Sequence, residues 1–158
     1  MYASKRDEAA GLIVGVYRGA SDDRDYAEAI ASILASDASA ARRSLTHTCV
    51  LVVEGEFPPP PPVWRQRMAD ANNQLVTESY YFALVSPKLV FRGVFTAVTW
   101  LTRKRPGHHM AAFADVAQAS SWLEREAGQT ALRVRRLYEQ AQDELVASSR
   151  SVRGKKAG

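Results

Sequence analysis

The chain of 158 residues has a single cysteine, Cys49, so no disulfide can form within it. It has no Gly-rich phosphate loop, no metal-ligand constellation and no catalytic motif, and no cofactor is expected. No apolar run approaches the roughly 20 residues needed to cross a bilayer, so no membrane insertion is expected. Met1 to Ala10 is charged and lacks the apolar stretch of a signal peptide. With one cysteine and no targeting segment, the expected setting is reducing and cytoplasmic. These absences remove whole classes of chemistry without naming a function.

What is present is a pattern. The hydrophobic share of 46% with 24% charged residues is that of a globular protein able to bury a sizeable core. Four short apolar runs, Leu12 to Tyr17, Thr48 to Val53, Tyr80 to Val85 and Met110 to Phe113, alternate with amphipathic helical patterns. Strands alternating with helices predict an α/β fold with a four-stranded, mostly parallel sheet, flanking helices and an extra C-terminal helix. The expected organisation is a flexible N-terminus over 1–10, one α/β domain over 11–127, a helix over 128–148 and a disordered basic tail over 149–158.

Charge is unevenly placed. Residues 1–129 carry 14 Lys and Arg against 14 Asp and Glu, so the net charge of +4 arises in the C-terminal segment. A basic tail can touch nucleic acid or anionic lipid. Four excess charges without interleaved aromatics point instead to a solvated tail, and no nucleic-acid partner is expected.

Local signals place the helices. Asp22, Asp23, Asp25 and Glu28 suit a helix start, and Tyr26, Ile30, Ile33 and Leu34 form its apolar stripe. That helix is expected to fray in the Ala/Ser-rich stretch from Ser36 to Ser44. Pro58 to Pro62 forces a polyproline II stretch, and Pro62 fits a first helical turn. Trp64, Met68, Ala71 and Leu75 then make one apolar face. Ser86 as N-cap and Pro87 open a helix from Lys88 to about Arg105 that is apolar almost all round. Only Arg92, Thr96, Thr99 and Arg103 line a narrow polar strip, so deep burial or a covering element is expected. Gly93 inside it suggests close backbone packing. Asp115 and Gln118 read as a capping box, and Gly128 as a break. The final stripe, Ala131, Val134, Tyr138, Ala141 and Leu145, suits either docking along a groove or a short coiled coil.

The stretches Tyr81 to Pro87, Val98-Thr99-Trp100-Leu101, and Ala112-Phe113-Ala114-Asp115 with Ala119 and Trp122-Leu123 carry a resemblance. The chain resembles the STAS-type proteins, typified by bacterial anti-sigma-factor antagonists, and especially their SpoIIAA-like relatives, over about residues 10 to 126. The resemblance implies a non-enzymatic regulatory or protein-interaction module. Its SpoIIAA-like branch implies, as the alternative, a carrier or sensor of a lipid or other small apolar ligand. Regulatory members carry a phosphorylatable Ser after a central strand. Here Glu54-Gly55-Glu56-Phe57 stands at that place, with no Ser or Thr to accept phosphate.

Candidate sites are few. Ligands of open α/β sheets bind beyond the carboxyl ends of the strands. Ser86, Lys88 and Arg92 form the anion-site candidate there, against the alternative of an ordinary capped helix. Trp64 with the Pro58 to Pro62 run is the candidate partner contact, against the alternative of a stiff loop. Glu54 and Glu56 read as solvent-facing rather than an acid–base pair. His108 and His109, adjacent on a strand, face opposite sides and cannot share a metal. Cys49 reads as a buried small hydrophobe. A protein partner is expected, with a homodimer and a lipid or small apolar ligand as the open alternatives.

Overall fold

A computed structural model describes residues 1–55 and 58–155, with only the helical backbone given for 151–155. In chain order the elements are β1 (Tyr2–Asp7), β2 (Leu12–Arg18), α1 (Asp23–Arg42), β3 (His47–Glu54), α2 (Pro62–Gln74), β4 (Tyr80–Val85), α3 (Leu89–Leu101), β5 (His108–Phe113), α4 (Val116–Ala127) and α5 (Ala131–Lys155). The strands lie side by side in chain order; β1 is antiparallel to β2, and β2 to β5 are all parallel. This is the expected α/β architecture with a fifth strand at its edge.

Parallel neighbours joined in sequence need crossovers of one hand, and steps taken in one direction place every crossover helix on the same face. The three crossover helices, α1, α2 and α3, accordingly share a layer. Beneath them lie Ile13, Tyr17, Cys49, Leu51, Val53, Tyr80, Phe82 and Leu84, alternate residues of β2, β3 and β4. The intervening residues, among them Val14, Val16, Val50, Val52, Ala83 and Val85, meet Ala119 and Leu123 of α4 and Val134, Ala141 and Leu145 of α5 on the other face. Strands buried on both faces have no polar alternation to show, and the central runs of the sequence have none.

Several expectations are corrected. Residues 1–10 are not a flexible arm: Tyr2 pairs with Tyr17 and Asp7 with Leu12, and the Met1 ammonium lies 3.0 Å from Asp25. Helix α1 does not fray at Ser36 but runs to Arg42, because Ser36, Asp37, Ser39 and Ala40 are buried. At its start Asp22 and Asp25 form a reciprocal capping box. Helix α3 starts at Leu89, with Lys88 and not Ser86 as its N-cap, and ends at Leu101. The expected Asp115–Gln118 box is half made. Asp115 accepts the Gln118 N–H at 2.8 Å, whereas the Gln118 side chain takes the Ala114 N–H at 3.4 Å. Gly128, in the left-handed conformation, ends α4 as expected. Helix α5 continues through residues 149–155, expected as disordered tail, and residues 156–158 lie outside the described residues.

The stripe on α5 docks on its own domain. Lys5 pairs with Glu144 at 2.6 Å, and Asp7 with Arg133 and Arg136, clamping β1 to that helix. Gln129 reaches the Ala10 carbonyl at 2.8 Å. The seam is therefore spent within the chain and is not offered to a coiled-coil partner. It also lies on the face opposite α3, so it does not cover that helix.

Candidate functional site

The crossover layer encloses an apolar cavity. Its floor is Tyr17, Leu51 and Val53 with Tyr80, Phe82 and Leu84 of β4; its walls include Ile30 and Ile33 of α1 and Met68 of α2. Phe91, Phe95 and Val98 of α3 form its roof. The cavity has a volume of about 90 Å³. The local cause is small side chains at inward positions. Ala29 on α1 and Ala71 on α2 are buried and line the space, where a larger residue would have filled it. Pro60, buried, also lines it, while Pro61 holds extended angles before Pro62 opens α2. The proline run thus acts as a stiff entry to α2 that bounds the cavity.

The lining carries almost no polar group. Tyr80, 1% exposed, is the most informative exception. Burial raises its hydroxyl well above the usual range, and the Cys49 thiol is the polar group that interacts with it. One wall of this region is anchored by Asp37. Its carboxylate accepts the Val76 N–H at 2.7 Å, the Thr77 N–H at 3.3 Å and the Thr77 hydroxyl at 2.5 Å. The His47 ring nitrogen Nδ1 lies 3.4 Å away, and that ring stacks on Tyr80. Burial pushes the Asp37 carboxyl up, but His47, Thr77 and Val76 outweigh it and bring it down to about 2.

At the carboxyl ends of β2 and β3 a polar knot replaces an open site. Glu54 accepts Arg18 Nε at 2.8 Å, Arg18 Nη2 at 2.7 Å, Gln142 at 2.7 Å and, closer still, the Tyr138 hydroxyl. Burial raises the carboxyl, and the bonds from Tyr138, Arg18 and Gln142 more than reverse that, holding it below its usual range. The knot fastens α5 to the sheet. Glu54 is thus half-buried and bonded, not solvent-facing as expected, and Glu56 lies outside the described residues.

The four residues singled out from sequence do not form one site. Trp64 is buried; it donates Nε1–H to Asp23 at 2.6 Å, and Arg67 stacks over its ring, so it joins α2 to the start of α1. Ser86 is fully buried, and its hydroxyl accepts the Lys88 N–H at 3.3 Å. Lys88 is exposed. Arg92, one turn into α3, has a buried Nε without a partner among the described residues. His108 faces Thr77 and Tyr80, while His109 stacks on Tyr81 on the opposite face. Cys49 is buried, and burial pushes its thiol far up. Among the described residues no group of three His, Cys, Asp or Glu is placed to hold a metal.

Compared with protein-family models, curated proteins and solved structures, the chain matches none. Sequence reasoning missed most of the lining, including Tyr17, Tyr80 and Met110. The usable signal was Phe91, Phe95 and Val98 at helical spacing on α3.

Proposed function

We propose that this chain is a non-enzymatic carrier or sensor of a small apolar ligand, held in the cavity beneath α3. The observation that carries the reading is a lining of aromatic and aliphatic side chains from three helices and four strands, with Tyr80 as the buried polar handle. Each 100 Å² of apolar ligand surface moved into such a lining contributes about 2.5 kcal/mol. The favoured ligand has an apolar body and at most one neutral hydrogen-bonding group near Tyr80. The STAS-like kinship belongs to this proposal, supported by the stretch that carries the resemblance folding as β4–α3–β5–α4. A cytoplasmic setting is kept with it.

The test is titration with N-phenyl-1-naphthylamine, a neutral apolar dye that brightens on leaving water. Saturable brightening is expected with the full chain. It is expected to be lost in Ala71→Phe, which fills the cavity, while the circular-dichroism spectrum stays unchanged. No saturable brightening, or brightening equal in the filled variant, would overturn the reading.

A second reading, a regulatory module that docks a protein partner, is favoured by the outer face of α3, where Leu89 and Trp100 are largely exposed. Capture of a defined partner through that face, lost in Trp100→Ser and indifferent to Ala71→Phe, would favour it over the carrier.

A further inference from the structure

An apolar helix is ordinarily buried all round or covered, and α3 is neither. Its inner face roofs the cavity, while Leu89 (76% exposed), Val90, Trp100 (82%) and Leu101 stand in solvent on its outer side. At Gly93 nothing among the described residues lies within 4 Å of where a Cβ would stand, so none of the described elements packs there. Val76, exposed, sits at the same end as Leu101, since the adjacent Leu75 carbonyl accepts the Arg105 guanidinium at 2.5 Å. An apolar surface of this kind marks a contact with another phase or molecule.

The charges around it say which. Along the chain, residues 79–114 contain Lys88, Arg92, Arg103, Lys104 and Arg105 and no Asp or Glu, with Glu78 and Asp115 flanking that stretch. Arg103 and Lys104 are exposed and follow Trp100 and Leu101 with Thr102 between; Lys88 directly precedes Leu89. Cations at both ends of an apolar face, with a Trp at one end, are what the boundary between headgroups and acyl chains of an anionic bilayer receives. A second copy of this surface would bring like charges together. At 13 residues, α3 spans only about 20 Å, well short of a hydrocarbon core.

We propose that the outer face of α3 docks on an anionic lipid surface, with the helix lying flat in the interface. Leu89, Val90, Trp100 and Leu101 enter the headgroup boundary, and Arg103 and Lys104 meet the lipid phosphates. The docking stands on this outer face alone. Because the same helix roofs the cavity, the bilayer is also the source of the apolar ligand, and that clause rests on the carrier reading.

The experiment is cosedimentation of the full chain with vesicles of phosphatidylcholine alone and with about 30 mol % phosphatidylglycerol, each at low and high salt. Salt-sensitive binding to the anionic vesicles only is expected, with a blue shift in tryptophan emission that Trp100→Phe abolishes. Trp100→Ser, and Arg103→Gln with Lys104→Gln, each lower partitioning about tenfold or more. All these positions are exposed, so the variants are expected to fold. Absence of binding, equal binding to both compositions, or binding indifferent to these substitutions would overturn the proposal. So would a dimer that Trp100→Ser dissociates in the absence of vesicle binding, which assigns the face to a second copy. Dye uptake is read in parallel: vesicle binding without dye uptake sinks the carrier reading and leaves the docking standing.

Discussion

Asp37 offers the sharpest energetic test of the fold around the cavity. It is 2% exposed and accepts three hydrogen bonds from Val76 and Thr77, the residues that lead from α2 into β4. Its carboxyl is lowered from 3.8 to about 2 in the folded chain. A folded value below the unfolded one means that ionised Asp37 stabilises the fold. The contribution is complete above about pH 4 and disappears as pH falls toward 2. At 1.36 kcal/mol per pH unit the gap is worth about 2 kcal/mol. Asp37→Asn is therefore expected to lose about 2 kcal/mol at pH 7, and its deficit should close between pH 4 and pH 2, where the wild-type carboxyl is itself protonated. Asp37→Ala, which strands the buried Thr77 N–H and hydroxyl and frees the Val76 N–H, should cost more, about 3–5 kcal/mol. Urea midpoints from pH 7 down to pH 2.5 measure both. An Asn variant as stable as wild type at pH 7, or a deficit that stays constant through the acid range, would refute the carboxylate as the anchor.

Two further substitutions probe α3 and α5. Gly93→Ala meets no neighbour within 4 Å among the described residues, so helix propensity is what changes, and stability should rise by about 0.5–1 kcal/mol in urea unfolding. Tyr138→Phe removes one of the donors to Glu54 and should cost about 1 kcal/mol, with faster amide exchange along α5 and none of the effect on dye uptake that Ala71→Phe produces.

How much of this was legible in the sequence depends on what each segment buries. Strands β2, β3 and β4 are nearly continuous apolar runs because helices cover both their faces, and the ends of all four parallel strands fall within a residue or two of the expected ones. β1 escaped because an edge strand needs few apolar residues: Tyr2 and Ala3 face the two cores, while Lys5 and Arg6 remain partly or fully exposed. The turn Glu8 to Gly11 before an apolar strand was the available hint. The long end of α1 was hidden because its inward side is polar. Asp37 and Ser36 read as connector residues, and only tertiary partners supplied by the start of β4 keep them in a helix. Ser86 was misread as a cap because Ser-Pro fits a helix start locally, whereas its burial pulls the hydroxyl back onto the Lys88 N–H. The apolar character of α3 was plain. Which side would be left bare was not, since that follows from α5 crossing to the opposite face of the sheet.

The clamp between β1 and α5 sets an order of events for the chain as it emerges. Arg136 reaches Asp7 across 129 positions of sequence, and Gln129 reaches the Ala10 carbonyl across 119. The apolar face of β2 and β3 formed by Val14, Val16, Val50 and Val52 thus stays bare until the most distant helix has been made. Such closure comes late in folding, since long-range contacts repay their loop entropy only at the end. Until then the nascent domain exposes an unfinished sheet face, the kind of surface that chaperones hold and that aggregates when they do not.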